Sequence, residues 1–157
     1  MAARKAGLLV HRRTDAGAEV LVAHMGGPFW ARKDAGAWSI PKGLAEGDET
    51  ALAAALREFE EEIGTPPPLG DPFALGDFRQ PSGSALTVFA LAGDLDVSEI
   101  RSNLFEVEWP RGSGRMQSFP EMDRAEWMPP ALARTKVVKG QIPVIDAFVR
   151  EVLGAPA

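Results

Sequence analysis

Carboxylates are concentrated in one short segment of the chain. Residues 43–64 contain seven acids and one base, Arg57, so the segment carries a charge of −6 while all other residues sum to +1. On a helix, Glu58 would share a face with Glu61 and Glu62, three and four positions later. Such like charges repel, and the negative end of the helix dipole adds to the cost. A bound divalent cation would relieve both penalties, although a solvated acidic face is the alternative interpretation.

Mg²⁺ and Mn²⁺ are the cations that such oxygen donors favour. The chain has no Cys, so thiolate nucleophiles and Cys-ligated zinc or iron–sulfur sites are excluded. Any metal would be held by oxygen atoms or by His11 and His24, and for both histidines we expect packing or a surface position rather than catalysis.

The residues around the acidic cluster follow a fixed spacing. Five residues separate Gly43 from Glu49, and seven more lead to the run Arg57-Glu58-Phe59-Glu60-Glu61-Glu62-Ile63-Gly64. This pattern over residues 43–65 resembles the Nudix box, and it departs from the box at Thr65, where the family usually has an aliphatic residue. The surrounding sequence looks most like bacterial Nudix proteins described as predicted NTP pyrophosphohydrolases.

The resemblance implies both a reaction and a set of residues. Family members hydrolyse a nucleoside diphosphate linked to another group, through attack of a metal-activated water on phosphorus. The implied ligands of Mg²⁺ or Mn²⁺ are the carbonyl of Gly43 and the carboxylates of Glu58, Glu61 and Glu62. Arg57 would orient a carboxylate, either Glu60 or Glu61. Glu49 would support the turn into the helix or the inner metal shell, and Gly64 would end the box helix.

Residues outside the box are candidates for substrate contacts. Lys42 precedes Gly43 and could meet a phosphate, although a lone exposed lysine is the simpler interpretation. Arg111 and Arg115 flank a Gly-Ser-Gly turn that could close over an anionic ligand or could be only a flexible basic turn. Trp38 could stack on a base or belong to the core, and the same holds for Phe29 and Trp30.

A general base is expected among the acids that follow the box. Carboxylates bound to metal are poor bases, because the cations depress their pKa, so an unliganded Glu on a loop is better suited. Glu121 follows Pro120 and precedes a predicted strand, which makes it our candidate. Its rivals are Glu106, Glu108 and Asp123.

Local patterns predict the elements that position these residues. Apolar runs at 6–12 and 19–25 predict a hairpin, and 26–48 reads as a long loop with an extended piece at 38–40. A helix is predicted from an N-cap at Asp48 to Ile63. Its apolar stripe would be Leu52, Leu56, Phe59 and Ile63, roughly opposite the carboxylates.

The remaining segments predict strands at 73–79, 85–92, 104–109 and 125–128, and a C-terminal helix from about Pro143. Helices and strands mixed in this order indicate an α+β fold, and the Nudix resemblance implies an α/β/α sandwich with a mixed sheet. With 157 residues, 45% of them hydrophobic, we expect a single domain over 1–157.

Composition narrows the function further. The net charge of −5 argues against stable nucleic-acid binding, and no apolar run reaches the roughly 18 to 20 residues of a membrane span. We therefore expect a cytoplasmic monomer or homodimer that binds a nucleotide-type small molecule. The leading hypothesis is a metal-dependent NTP pyrophosphohydrolase, with a dinucleoside polyphosphate or ADP-ribose hydrolase as the alternative. A nucleotide-sensing module without catalysis is a further hypothesis.

Overall fold

A computed structural model describes residues 4–154, and a mixed β-sheet forms its centre. The strands of this sheet are β1 Arg4–Thr14, β2 Gly17–Met25, β3 Trp38–Ser39, β4 Lys42–Leu44, β5 Phe73–Arg79, β6 Ala85–Ala92 and β9 Met122–Met128. They run in the order β3-β2-β1-β6-β5, with β4 paired to β1 and β9 paired to β2. β1 and β6 are parallel, and the other pairs in this sheet are antiparallel.

Helices cover both faces of this sheet. The box helix α1, Ala51–Ile63, packs on one face, and α2, Pro130–Lys136, and α3, Ile142–Glu151, pack on the other. Side chains alternate across a strand, so Leu8 and Val10 point to the α1 side while Leu9 points to the α3 side. This double burial explains why β1 reads as a continuous apolar run. The predicted α/β/α sandwich of the α+β class is confirmed.

Helix α1 begins two residues later than predicted. Thr50, not Asp48, is the N-cap, and its hydroxyl accepts a hydrogen bond from the Ala53 N–H at 3.1 Å. Gly64 ends the helix in the left-handed conformation, with φ of 92°. A side chain at Gly64 would also meet the Arg101 carbonyl at 2.6 Å, so a second segment passes close to this glycine.

The buried face of α1 differs from the predicted stripe. Its buried residues are Ala54, Ala55, Phe59, Glu62 and Ile63, whereas Leu52 and Leu56 are half-buried. The small alanines allow the helix to lie close to the sheet. Glu62 therefore lies on the buried side of α1, whereas the sequence placed it roughly opposite the apolar stripe.

Several elements were missed or misplaced at the sequence level. The loop 26–48 contains β4 as well as β3, and β9 begins three residues earlier than expected. The basic turn 110–115 joins β7, Leu104–Glu108, to β8, Met116–Pro120, and these two strands pair only with each other. Helix α2 was not predicted. None of the helices in residues 4–154 has the length and apolar character needed to span a membrane.

Candidate active site

Arg57 connects the helix, the preceding loop and strand β4. Its guanidinium donates to both carboxylate oxygens of Glu49 at 2.8 and 2.9 Å, and to the Leu44 carbonyl at 2.9 Å. It also donates to Glu58 at 2.9 Å and to Glu61 at 3.0 Å. The rigid fork of donors makes this multiple contact possible. Arg57 therefore orients Glu58 and Glu61, whereas Glu60, the other partner considered from the sequence, is exposed.

Glu49 fixes the turn into the helix. One of its oxygens accepts the Glu46 N–H at 3.0 Å in addition to the Arg57 contact. Hydrogen bonds from Arg57 hold the pKa of Glu49 at about 2, well below its usual value. Glu49 is thus an ionised partner of Arg57 at the turn into the helix.

Glu58 lies against the backbone of β4. A Cβ at Gly43 would collide with the Glu58 carboxylate, so the glycine creates the space that this carboxylate occupies. The Glu58 side chain is 13% exposed. Burial raises its pKa, and Arg57 opposes that rise.

Glu62 is the most buried carboxylate of the box, with only 3% of its surface exposed. Burial raises the pKa of Glu62 to about 8, partly offset by the Lys42 ammonium and a 3.4 Å hydrogen bond from the Lys42 N–H. The charges of Glu58 and Glu121 raise it further. Lys42 therefore lies beside the carboxylate cluster, as its position before Gly43 suggests.

Glu121 lies in the bend between β8 and β9, with an exposed side chain. Its charge acts on both Glu58 and Glu62, which places it within electrostatic range of the box carboxylates. Its backbone N–H donates to the Asn103 carbonyl and its carbonyl accepts the Gly26 N–H, both at 2.8 Å. The bend is thus held from two sides, while the carboxylate is free to face water.

The rival acids have other partners or positions. Glu108 accepts the N–H groups of Gly112 and Gly114 at 2.8 and 3.1 Å, which closes the β7–β8 turn. Asp123 pairs with the buried His24 at 2.9 Å. Glu106 lies exposed on β7, opposite Ser118.

Trp38 does not fit the stacking role considered for it. It is 1% exposed, belongs to the core on the α3 side, and donates its indole N–H to Asp34 at 2.9 Å. Its burial against His24 of β2 and beside Val137, which follows α2, therefore corrects the prediction of a substrate contact. Arg111 and Arg115 are exposed at the two ends of the turn between β7 and β8.

The donor set is suited to a hard divalent cation. Carboxylate oxygens are the ligands on offer, and buried carboxylates with raised pKa values gain from a nearby positive charge. Within residues 4–154 no three acidic or histidine side chains stand close enough together to chelate one ion directly. One oxygen each of Glu58 and Glu61 is held by Arg57 in this arrangement.

The comparison with protein families identifies the chain. The profile of the NUDIX domain matches residues 1–148. The chain belongs to the Nudix family. It is accordingly a hydrolase of phosphorus-containing anhydrides that acts on nucleoside diphosphate derivatives, and the family generally requires divalent cations. No curated protein matches the chain.

Solved Nudix structures share the fold over almost the full length. An Ap4A hydrolase binary complex from C. elegans has a TM-score of 0.66 at 17% identity, covering 96% of this chain and 99% of that chain. The NUDIX domain of Shewanella oneidensis NrtR, complexed with ADP ribose, has a TM-score of 0.64 at 16% identity, with 98% and 89% covered. A MutT protein from Methanosarcina mazei Go1 has a TM-score of 0.61 at 18% identity, with 96% and 94% covered.

Proposed function

We propose that this Nudix protein is a metal-dependent pyrophosphohydrolase that cleaves a phosphoanhydride bond in a nucleoside diphosphate linked to another group. The observation that carries the proposal is the burial of Glu58 and Glu62 within electrostatic range of the exposed Glu121. Burying two carboxylates together costs free energy, because both charges lose hydration and repel each other. A cation bound between them would remove this repulsion, so the burial favours cation binding.

In this proposal Mg²⁺ or Mn²⁺ is held by the Gly43 carbonyl and by Glu58, Glu61 and Glu62. When bound, the cation would neutralise charge on the phosphates and lower the pKa of a water molecule. Arg57 keeps Glu58 and Glu61 oriented through its hydrogen bonds.

Glu121 is proposed as the general base that takes the proton from the attacking water. Its side chain is exposed, and its backbone is fixed by hydrogen bonds on both sides of the bend. Lys42 is proposed to contact a phosphate, since its backbone N–H donates to Glu62 at 3.4 Å and its positive charge acts on the same carboxylate. Arg111 and Arg115 would attract the anionic substrate from the β7–β8 turn.

The identity of the leaving group distinguishes the alternatives. A dinucleoside polyphosphate hydrolase or an ADP-ribose hydrolase would use the same metal cluster, and solved structures of similar fold include an Ap4A hydrolase and a domain complexed with ADP ribose. A nucleotide-sensing module without turnover is the non-catalytic alternative. We further propose that the chain acts as a single domain in the cytoplasm, as a monomer or homodimer without stable nucleic-acid binding.

A substrate panel tests the proposal directly. The purified protein would be incubated with nucleoside triphosphates, dinucleoside polyphosphates, ADP-ribose and nucleotide sugars, with Mg²⁺, with Mn²⁺ or with a chelator. We expect metal-dependent hydrolysis of at least one compound, in which the cleaved anhydride yields a nucleoside phosphate and the phosphorylated form of the group that was linked to it, or pyrophosphate where the substrate is a nucleoside triphosphate. Glu58→Gln should reduce that rate by orders of magnitude, while Glu60→Gln, at an exposed position of the same helix, should change it little. Tight nucleotide binding without turnover would support the sensing module instead.

A further inference from the structure

A small cleft lined by aromatic side chains lies between the segment after β2 and the β7–β8 hairpin. Its volume is about 220 Å³, below the roughly 300 to 1,000 Å³ of pockets that enclose whole drug-sized ligands. This aromatic pocket therefore has room for one ring system rather than for an entire nucleotide. The side chains that define its chemistry are Phe29, Trp30, Phe105, Trp109, Glu108 and Arg111.

The walls of the aromatic pocket are held in place. Phe29 and Trp30 meet edge to face with ring centroids 4.8 Å apart, and the Lys33 ammonium lies 3.5 Å from the centre of the Phe29 ring. Phe105 lies directly against Gly27, where a Cβ would come within 2.6 Å of the ring. Gly27 has φ of 91°, so glycine is required there for conformation as well as for space.

The pocket adjoins the candidate active site through one hydrogen bond. Gly26, which lines the pocket, donates its N–H to the carbonyl of Glu121 at 2.8 Å. A side chain at Gly26 would collide with the Pro120 carbonyl, so the two segments are pressed together. A ring in the pocket would therefore be next to the bend that carries the proposed base, with its phosphates outside the pocket.

We propose that the aromatic pocket binds the planar base of the nucleotide substrate, and that it does so by stacking. The inference rests on the proposed function and adds the part of the substrate that the carboxylate cluster does not recognise. The Glu108 carboxylate already accepts hydrogen bonds from the N–H groups of Gly112 and Gly114, and the Gly27 carbonyl accepts the Trp30 N–H. A ligand in the pocket would therefore contact mainly the faces of the aromatic rings. Arg111 adds a positive charge at the same pocket.

Stacking of a base on an aromatic side chain typically changes affinity by about 5- to 150-fold. Compounds with a phosphate and a sugar but without a base should therefore bind much more weakly. Purines should bind at least as tightly as pyrimidines, because their larger rings cover more of the pocket wall.

Calorimetry on the full chain, with a chelator present, tests this directly. The probes are AMP and GMP, compared with ribose 5-phosphate, which lacks the base. We expect the tighter nucleotide to bind at least 5-fold more strongly than ribose 5-phosphate. Equal affinities, or no detectable binding of either nucleotide, would overturn the proposal.

Substitutions in the pocket test whether the preference for nucleotides over ribose 5-phosphate depends on its aromatic side chains. Phe29 and Trp109 are 57% and 37% exposed, so Phe29→Ala and Trp109→Ala should leave the fold intact. The preference for the base should fall about 5-fold or more in at least one of them. Phe73→Ala is the matched control, since Phe73 is 49% exposed on β5, outside the pocket. A preference unchanged in both pocket variants would overturn the proposal.

The same variants separate this proposal from the hydrolase proposal. If no compound of the substrate panel is hydrolysed but the base preference depends on Phe29 or Trp109, the pocket assignment holds and the catalytic assignment fails. If substrate is hydrolysed with the same KM in the parent protein and both pocket variants, the reaction stands and the pocket is refuted. In the expected case, KM rises more than kcat falls.

Discussion

The buried carboxylate of Glu62 predicts an unusual pH dependence of stability for the metal-free protein. Burial raises the pKa of Glu62 to about 8 in the folded state, against 4.5 for an ordinary glutamate. Between these two values the folded chain holds a proton that the unfolded chain has lost. The contribution of Glu62 to the free energy of unfolding is therefore fully present below about pH 4.5 and falls as the pH rises towards 8.

The size of the effect follows from the two pKa values. Between pH 5 and pH 7 the loss amounts to about 2 to 3 kcal/mol, which for a chain of this length lowers Tm by roughly 5 to 10 °C. Glu58 adds to the trend, because burial also raises its pKa. Glu49 hardly changes the stability between pH 5 and pH 7, because its pKa is about 2 in the folded state and 4.5 ordinarily, and both values lie below this range.

Thermal unfolding in the presence of a chelator, at steps between pH 5 and pH 8, would measure this. Glu62→Gln removes the charge but keeps the shape, so its Tm should exceed that of the parent protein by an amount that grows with pH. Glu60→Gln is the control, since Glu60 is exposed on the same helix and should show no such growth. Saturating Mg²⁺ should stabilise the parent more than Glu62→Gln. A Tm difference that is constant across the pH range would refute the assignment of a buried, protonated Glu62.

Other substitutions test the remaining parts of the site. Gly26→Ala should destabilise the fold by about 2 kcal/mol or more, seen as a lower urea midpoint, because its Cβ would collide with the Pro120 carbonyl. Arg57→Lys keeps the charge but loses the fork of donors, so we expect kcat to fall at least about 10-fold with the fold retained by circular dichroism; an unchanged kcat would mean that the fork is not needed. Glu121→Gln should lower kcat about 100-fold or more with little change in KM, whereas loss of activity in Glu106→Gln instead would assign the base to β7.

The sequence was most informative where local pattern and chemistry coincide. Gly64, followed by Pro66, Pro67 and Pro68, predicted the end of the box helix, and the glycine ends it in the left-handed conformation. The metal-binding residues that the resemblance implies stay predictions. Strands β5 and β6 begin and end where predicted, because turn-forming residues border both. The family and the fold class predicted from these features are confirmed.

What the sequence could not predict depends on contacts between distant segments. Periodicity indicated the stripe through Leu52 and Leu56, but it cannot show which side of α1 meets the sheet, and the helix turns Ala54 and Ala55 towards it. The burial of Glu62 follows from that rotation. Strand β8 is mostly exposed and pairs only with β7, so its residues carry no periodic apolar signal. The burial of Trp38 depends on distant residues, among them Val137 after α2 and Arg124 of β9.

The parallel pairing of β1 with β6 has a consequence for the order of events during synthesis. Arg4 pairs with Ala85 and His11 with Ala92. The ribosome therefore synthesises β1 well before β6, and the box helix α1 is synthesised between them. Contacts so distant in sequence slow folding, because the loop between them must close before they form. Until then β1 presents an open edge flanked by apolar surface, a state that favours pairing with another chain. Aggregation during expression should therefore depend on how quickly β6 is synthesised and docks, and slower elongation before residue 85 should increase it.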